Sequence, residues 1–396
     1  MSLHQDSFKK ALLKIILLGF MMMAAAMILK GEIIKSKKTG YFVSDFTAYW
    51  SAFHLAESGR NPYDPDVFRS FKNEIHYERP QENNYVFWYA PWFLSLFAPF
   101  LAWPFEISAT LWLLVNLCFP VAISCLSWKL FAPARSQPMA VLFLAGILLA
   151  PFLFLLRMGQ MSFWTGLGVI GCVLALEKKQ DFWAGCFLVL TTIKPQTIFL
   201  LYPVLGLWMI QNKRFHVLAS WIGILLLLNL AAFIWWPSLH FNWIHTAEHP
   251  LDYTSTTLAS FLSVRTGSEM PLWVLPSLAL LSVGYYYFRH PVIWSSALPL
   301  VLCLSLIFMP YGGFSDFNLL AILQTAMAAR LTHPGTSSRQ RYLVLAAMLI
   351  YHLLTLIVLY CCGRNLHQLW WYPWGYLGFW GFISYPFKGV VNDQQS

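Results

Sequence analysis

Long apolar runs fill most of the chain, and almost no charged residue lies inside them. A helix rises about 1.5 Å per residue, so about 20 apolar residues cross a hydrocarbon core of about 30 Å. The first run, 11–29, predicts an uncleaved membrane anchor, because it is longer than the apolar core of a typical signal peptide. Later runs predict spans at 138–157, 165–177, 182–193, 196–210, 217–236, 271–288, 291–309, 319–332, 342–361 and 370–387. With one more crossing from residues 86–131, the pattern predicts about twelve membrane crossings.

Prolines interrupt the first half of residues 86–131. Pro91, Pro99 and Pro104 precede the uninterrupted apolar run 105–130. A proline inside a helix removes a hydrogen bond and kinks or ends the helix. This half is therefore predicted to be a broken or re-entrant helix packed inside the bundle.

Residues 182–210 allow two paths. They are interpreted as a hairpin of two short helices that meet at Lys194-Pro195, which places the basic clusters on either side of it on the same face of the membrane. The alternative is one tilted and kinked span. In that case, the loops around residues 132–181 change sides.

Composition and charge indicate an all-α polytopic membrane protein. Of the 396 residues, 58% are hydrophobic and 11% are charged, whereas a soluble domain carries about 25% charged residues. The formal net charge of +9 comes from short basic clusters between apolar runs, which is typical of membrane topology rather than of nucleic-acid binding. We expect one integral membrane domain over residues 1–396. The seven cysteines lack CxxC spacing and are interpreted as apolar fillers, not as disulfides or a zinc site.

The basic clusters also predict the orientation of the chain. Cytoplasmic loops carry an excess of lysine and arginine, so these clusters are assigned to the cytoplasm, together with both termini. They are Lys129 with Arg135, Lys178 with Lys179, Lys213 with Arg214, Arg289 with His290, Arg339 with Arg341, and Lys388.

The loop 30–85, on the opposite face, holds eight of the seventeen acidic residues. Apolar side chains repeat at helical spacing within it, which predicts a short amphipathic helix over 46–57 along the membrane surface. Asp45 falls at the N-cap or in the first turn of this helix. It is interpreted either as a capping carboxylate, with Ser44 sharing the role, or as a functional carboxylate at the bilayer interface, where apolar surroundings keep it basic enough to accept a proton.

Other polar residues stand at the outer ends of predicted spans. Arg157 and Gln160 close one span, Lys194 lies between two, Arg265 lies in an outer loop, and Asp316 opens a further span. Ionisable groups at membrane depth are costly and often mark a substrate path or an anionic ligand. The alternatives are snorkelling of the basic side chains to the interface and helix capping by Asp316.

Metal and nucleotide motifs give little support to other enzyme classes. Asp64-Pro65-Asp66 has the acid spacing with which nucleotide-sugar enzymes hold a metal ion, but acids around a proline also occur in turns. The sequence has no GxxxxGK[ST] loop, no HExxH and no dinucleotide fingerprint, so an ATP-driven pump or an HExxH metalloprotease finds no support. We expect neither a bound metal ion nor a cofactor.

A series of short motifs follows the first span in a set order, over most of residues 10–335. They are Asp45-Phe46-x-x-Tyr49-x-x-Ala52, Asn61-Pro62-Tyr63-Asp64, Tyr89-Ala90-Pro91 with Pro99-Phe100, Leu111-Trp112-Leu113-x-x-Asn116, Gly159-Gln160, Ala184-Gly185 with Ile193-Lys194-Pro195, and Pro310-Tyr311 with Asp316. In this order they resemble glycosyltransferase family 87, the polyprenyl-phosphate-mannose-dependent α-mannosyltransferases of the GT-C superfamily. The segment Gly312-Gly313-Phe314-Ser315 departs from the family, which more often has a stretch containing Ser-Pro there, and the loop 237–270 is short.

The resemblance implies a GT-C bundle in which the first outer loop forms juxtamembrane helices and carries the catalytic acid. Asp45 matches that acid, and Lys194 and Gln160 match recurrent polar positions near the site of the lipid phosphate. The resemblance also implies a lipid-linked sugar donor and a lipid or glycan acceptor. The active site would face the periplasm or the exterior from the plasma membrane of a bacterium.

The candidate residues fit this chemistry. A sugar on a lipid phosphate already carries a good leaving group, so transfer needs one base for the acceptor hydroxyl and cations for the departing phosphate. Asp45 is expected to be the base of an inverting displacement, and Lys194 to hold the phosphate with Arg157 or Arg265 as helper. Gln160 and Asp316 are further candidates for substrate binding. The outer-loop aromatic residues either stack on a sugar or pack on helices; they are Tyr49, Trp50, Tyr63 and Tyr89.

A transporter or flippase of a lipid-linked or anionic substrate is the alternative, with Lys194, Arg157 and Asp316 along its path. A structural subunit of an envelope assembly complex is a third hypothesis. A transferase changes the covalent structure of its substrate, whereas a flippase changes only the side of the membrane on which the substrate lies.

Overall fold

A computed structural model describes residues 44–74, 87–133, 135, 150–246, 255–333, 336–362 and 366–384. Helices make up 82% of these residues, and no strand occurs among them. The all-helical fold predicted from the apolar runs is therefore confirmed. The predicted span 11–29, the first part of 138–157 and the tail 388–396 lie outside the described residues.

Sixteen α-helices and three 3₁₀ helices occur within the described residues. The α-helices are α1 (Ser44–Glu57), α2 (Pro65–Glu74), α3 (Trp92–Leu101), α4 (Phe105–Phe131), α5 (Ala150–Met158), α6 (Ser162–Glu177), α7 (Asp181–Thr191), α8 (Leu201–Asn212), α9 (His216–Trp235), α10 (Pro237–Thr246), α11 (Leu258–Thr266), α12 (Met270–Arg289), α13 (Trp294–Phe308), α14 (Leu320–Leu331), α15 (Ser338–Cys362) and α16 (Tyr372–Ser384). The 3₁₀ helices are Pro195–Ile198, Phe314–Leu319 and Leu366–Leu369.

Four helices of the described chain are long and apolar enough to cross a membrane, namely α4, α9, α12 and α15. Large apolar side chains on three of them are exposed, such as Leu226, Leu281 and Tyr360, as expected of helices that face lipid. The apolar helices α3, α6, α7 and α13 are shorter. The protein is thus all-helical with four candidate membrane spans, and the total of about twelve crossings stays a prediction.

The proline-rich segment forms a broken helix, as predicted. Helices α3 and α4 are separate, and the short break between them ends at Pro104. Trp103 bridges this break, because its indole Nε1 donates to Pro99 O over 3.1 Å while its own carbonyl accepts from Ser108 Oγ over 2.9 Å. A re-entrant course of this segment stays a prediction.

Helices α7 and α8 form a hairpin. Asp181 begins α7 and Arg214 follows the end of α8, yet Arg214 Nε lies 2.7 and 2.8 Å from Asp181 Oδ1 and Oδ2. At the other end of the two helices, Thr191 Oγ1 lies 3.1 Å from Tyr202 Oη. The hairpin predicted for 182–210 is confirmed. The single span is wrong, because one straight helix would place Asp181 and Arg214 about 50 Å apart.

The chain divides into two compact units. Unit 1 comprises the described residues within Met1–Cys118, Leu156–Gln160 and Leu228–His249. Unit 2 comprises those within Phe119–Leu155, Met161–Leu227 and Pro250–Ser396. The single membrane domain over residues 1–396 stays a prediction.

Basic residues gather at one end of unit 2, which we name the basic end. Arg135 follows α4, and its guanidinium donates to Ala329 O in the last turn of α14 over 2.7 Å. Arg330, in the same turn, donates to Ser384 Oγ at the end of α16 over 2.8 Å. These contacts bring the last turns of α14 and α16 to the end of α4.

Polar side chains gather at the opposite end of unit 2, which we name the polar end. Lys194 follows α7 and Asp316 precedes α14, and the two form an ion pair of 2.6 Å. The segment from Asp316 to Arg330 runs from this end to the basic end, and the hairpin runs from Asp181 to Lys194 and back to Arg214. The basic clusters beside these helices therefore lie at the end of unit 2 opposite Lys194 and Asp316.

Glycines bring α6 and α7 into close contact. A Cβ atom on Gly168 would lie 2.8 Å from Phe187 O and 2.9 Å from Leu190 Cβ, and one on Gly171 would overlap the ring of Phe187. Small residues let helices approach closely in membrane proteins. The close packing of α6 against α7 therefore depends on glycine at both positions.

Gly168→Ala is expected to destabilise the protein by about 1–3 kcal/mol, because the added methyl group meets backbone and Cβ atoms that cannot rotate away. Thermal unfolding of the purified protein in detergent measures the effect as a lower melting temperature. Gly206→Ala on α8 is the matched control, since no atom lies within 4 Å of a Cβ placed there, and it is expected to be neutral or to stabilise by about 0.5–1 kcal/mol. Equal melting temperatures for the two variants would contradict this prediction.

Candidate active site

Helix α1 carries the candidate catalytic acid and is buried on nearly all sides. From Asp45 to Ala56 every side chain is buried except Trp50 and His54, which are half-buried. The helix predicted over 46–57 is confirmed, but it is not amphipathic, because aromatic side chains of α3 and α4 and the ring of Trp236, which precedes α10, enclose it. Besides Asp45, the fully buried polar residues of this helix are Thr47 and Ser51, whose hydroxyl groups are less costly to bury than charges.

Asp45 is hydrogen-bonded to Gln160. The Gln160 Nε2 group donates to Asp45 Oδ2, and Asp45 is only 2% exposed. Asp45 is the second residue of α1, so it lies in the first turn and not at the N-cap. The helix dipole favours a negative charge there. The structure thus brings together two candidate residues that lie 115 positions apart in the sequence.

Trp112 fixes the turn that carries Gln160. Its indole Nε1 donates to Gly159 O over 2.7 Å, and its ring centroid lies 5.3 Å from that of Phe46. Gly159 has a φ of +68°, a left-handed conformation that glycine adopts without strain. Because Phe46 adjoins Asp45 and Gly159 adjoins Gln160, Trp112 supports both members of the hydrogen-bonded pair.

The three candidate tyrosines are buried or half-buried. Tyr63 is 1% exposed, and its hydroxyl donates to Tyr89 O over 2.8 Å. Burial raises the pKa of Tyr63 well above its ordinary value, so this donor stays protonated. Tyr49 is also buried, with its ring centroid 5.5 Å from those of Tyr89 and Phe93. These contacts support a packing role for Tyr49 and Tyr63, and sugar binding by the three tyrosines stays a prediction.

The acids around Pro65 have structural partners. Asn61 Oδ1 accepts from Tyr63 N over 3.0 Å, and Asp64 Oδ1 accepts from Asp66 N over 2.9 Å, which caps α2. Asp66 pairs with Arg69 at 3.2 Å. The turn interpretation of Asp64-Pro65-Asp66 is thus supported. No group of three or more His, Cys, Asp or Glu side chains that could hold a metal ion occurs in the described part of the chain.

Lys194, Ser162 and Asp316 form a buried cluster at the polar end. Lys194 Nζ donates to Asp316 Oδ1 over 2.6 Å and to Ser162 Oγ over 3.4 Å, and Ser162 Oγ donates to Asp316 Oδ1 over 2.6 Å. Lys194 is 6% and Asp316 1% exposed. Sequence reasoning found the two charged residues but missed Ser162. A serine at the start of an apolar helix is a weak signal, because serine is common at helix starts for capping alone.

Further hydrogen bonds fix the turn before Asp316. Asp316 Oδ2 accepts from Gly313 N over 2.9 Å, so Asp316 holds the start of the 3₁₀ helix from its third position and not as the N-cap. Ser255 Oγ accepts from Gly312 N over 2.7 Å and donates to Gly312 O over 2.9 Å. Thr256 N donates to the same carbonyl over 2.8 Å. The run of hydroxyl residues over 254–257 is the sequence signal that could have identified this anchor.

The two candidate arginines are exposed. Arg157 lies in the last turn of α5. The guanidinium of Arg265 lies 5.6 Å from the ring centroid of Phe261. Within the described residues, Arg265 forms no ion pair with Asp316, whose partner is Lys194. Their role as helpers of Lys194 stays a prediction.

The two clusters offer different chemistry. In unit 1, Asp45 presents a carboxylate that can accept a proton, and the Gln160 amide orients it. In unit 2, Lys194 presents a cation whose charge is balanced by Asp316. A base and a cation are the two groups that transfer from a lipid phosphate requires.

Comparison with known families identifies the class of protein. The family model of glycosyltransferase family 87 matches residues 87–310, which is more than half of the chain. Gln160 and Lys194 lie inside the matched range, whereas Asp45 and Asp316 lie outside it. No curated protein and no solved structure matches the chain. The resemblance drawn from the motifs is confirmed: the chain is a glycosyltransferase that belongs to family 87.

Proposed function

We propose that the protein moves a sugar, mannose or another hexose, from a polyprenyl-phosphate donor to a lipid or glycan acceptor. The observation that carries the proposal is the buried, hydrogen-bonded pair of Asp45 and Gln160. Burying a carboxylate is costly, and in a glycosyltransferase a buried acid oriented by a hydrogen bond supports the role of a base. The donor is lipid-linked, and neither a metal ion nor a cofactor nor a nucleic acid takes part in this proposal.

Asp45 acts as the general base. Its carboxylate takes the proton from the acceptor hydroxyl as the acceptor oxygen forms a bond to the anomeric carbon of the sugar. On the opposite face, the bond from the anomeric carbon to the phosphate oxygen breaks. Polyprenyl phosphate leaves with the bonding electron pair, so the configuration at the anomeric carbon is inverted. Gln160 keeps the carboxylate oriented during this step.

Lys194 binds the donor phosphate. Negative charge grows on the phosphate as the bond to the sugar breaks, and a cation that is already in place stabilises that charge. Asp316 and Ser162 hold Lys194 Nζ in position, so the orientation of the cation is set before the donor arrives. Arg157 and Arg265 are the candidates for a second cation.

The polar end of unit 2 is proposed to face outward from the plasma membrane. The positive-inside rule places the basic end in the cytoplasm, together with both termini. The arrangement of unit 2 supports this orientation, because Arg135 and Arg330 lie at the end opposite Lys194 and Asp316. The reaction would then take place on the periplasmic or extracellular side.

Transfer of radiolabelled mannose from polyprenyl-phosphate-mannose to a membrane lipid or glycan extract tests the proposed function. The purified protein in detergent is expected to move label into the acceptor and to release an equal amount of polyprenyl phosphate. The flippase alternative makes the opposite prediction for protein in sealed vesicles. There, the donor would change sides of the bilayer with its covalent structure intact, and such a result would contradict the transferase proposal for this donor.

A further inference from the structure

Helix α4 buries an amide that lacks a partner. Asn116 is 0% exposed, and within the described residues neither its Oδ1 nor its Nδ2 atom has a hydrogen-bond partner. Buried polar side chains are nearly always paired, because a buried donor or acceptor that has lost water and gained no partner destabilises the fold. A buried carboxamide with both polar atoms unpaired has the capacity to bind a polar ligand group.

Asn116 lies one helical turn from Trp112, on the same face of α4. Residues four apart on a helix have Cβ atoms about 5–6 Å apart, and helical side chains lean toward the N-terminus, which for Asn116 is toward Trp112. Trp112 in turn contacts the residues next to Asp45 and Gln160, and all four residues belong to unit 1. Helix geometry thus directs the carboxamide toward Trp112, the residue that supports the hydrogen-bonded pair.

We propose that Asn116 binds a sugar hydroxyl at the Asp45 site. A carboxamide offers both donors and an acceptor, and a hydroxyl also donates and accepts, so one hydroxyl satisfies both polar atoms of the amide. An ionised phosphate oxygen only accepts and a metal ion takes only the amide oxygen, so either would leave half of the amide unpaired. This inference rests on the proposed transferase function and names the chemical group that the site recognises. Because the carboxamide is enclosed, the sugar contacts it after neighbouring side chains change rotamer, a common adjustment on binding.

Asn116→Leu is expected to separate stability from activity. The variant should melt at or above the melting temperature of the wild type, because it replaces an unpaired amide with an apolar side chain of similar shape. Transfer from polyprenyl-phosphate-mannose should fall about 10- to 100-fold in kcat/KM, which corresponds to the loss of one or two neutral hydrogen bonds.

Ser127→Ala is the matched control, since Ser127 is also buried on α4 with no partner for its Oγ within the described residues. It lies about three turns further along the helix, and its removal should leave transfer unchanged.

Donors that each lack one sugar hydroxyl identify the group that Asn116 contacts. With the wild type, the donor that lacks the recognised hydroxyl is expected to react more slowly than the complete donor. With Asn116→Leu, the same donor should lose nothing further, and this pattern assigns the hydroxyl to the transferred sugar. A variant that is slower with every donor, yet as sensitive as the wild type to each missing hydroxyl, assigns the contact to the acceptor.

Two results would overturn the inference. If Asn116→Leu transfers mannose like the wild type, the amide is satisfied by an ordered water molecule or is simply tolerated. If Asn116→Leu and the smaller Asn116→Ala both melt well below the wild type, the carboxamide is a structural group. A wild type that transfers no mannose contradicts the proposed function instead, and the melting comparison then still decides whether the carboxamide is structural.

Discussion

Replacing Asp45 with asparagine is expected to abolish sugar transfer while the fold is retained. The carboxamide has nearly the same shape as the carboxylate, and its oxygen still accepts the hydrogen bond from Gln160 Nε2. It has no basic oxygen that could take the proton of an acceptor hydroxyl. The expected loss is that of a general base, about 100- to 10,000-fold in rate. Initial rates of label transfer from polyprenyl-phosphate-mannose measure this loss.

Asp66→Asn is the matched control for that experiment. Asp66 also belongs to unit 1, but its side chain is 88% exposed and pairs with Arg69 on the surface of α2, so transfer should be unchanged. The melting temperatures of both variants should equal that of the wild type. If Asp45→Asn transfers sugar at the wild-type rate, the base lies elsewhere, and Asp316 is the next candidate.

The helices of this protein could be predicted from sequence because apolar runs, prolines and charges mark their ends. The hairpin of α7 and α8 is an example, since the basic clusters beside it make sense on one face only if the chain turns back at Lys194-Pro195. The pairing of Asp181 with Arg214 is the physical counterpart of that argument. The distribution of charges thus indicated where the chain turns back, and the apolar periodicity alone did not.

The environment of α1 could not be predicted in the same way. Its apolar repeat was clear and suggested that the other face contacts water. That face instead holds Thr47 and Ser51, and both are 0% exposed. Amphipathic periodicity thus identified the helix but not its environment, because small hydroxyl residues are less costly to bury than charged ones.

The candidate site was predicted in part, and the residues that were not predicted carry no charge. Asp45, Lys194 and Asp316 stood out because ionisable groups are scarce in this chain and costly at membrane depth. Two neutral residues gave no comparable signal, since hydroxyl residues occur throughout this chain. Ser162 contacts Lys194 and Asp316, and Ser255 anchors Gly312 in the turn before Asp316. The contact between Lys194 and Asp316 joins residues 122 positions apart, and sequence spacing alone does not place them together.

Removing Lys194 is expected to lower both stability and activity, and a double variant separates the two effects. Lys194→Met leaves the Asp316 carboxylate buried without its cation, and breaking a buried ion pair costs about 3–5 kcal/mol. Thermal unfolding should therefore show a large fall in melting temperature. Asp316→Asn, added to Lys194→Met, removes the uncompensated charge and keeps an acceptor for Gly313 N. The double variant should recover most of the lost stability.

Sugar transfer should stay low in that double variant, because no cation then stabilises the leaving phosphate. Removing a group that stabilises developing charge lowers the rate about 100- to 1,000-fold. Lys178→Met removes an exposed lysine between α6 and α7, and it should match the wild type in both measurements. A double variant with wild-type stability and wild-type transfer would mean that Lys194 serves the fold alone. That outcome is not expected, because a well-packed apolar pair would hold the fold as well as a buried ion pair does, so retention of the charge favours a role in binding an anion.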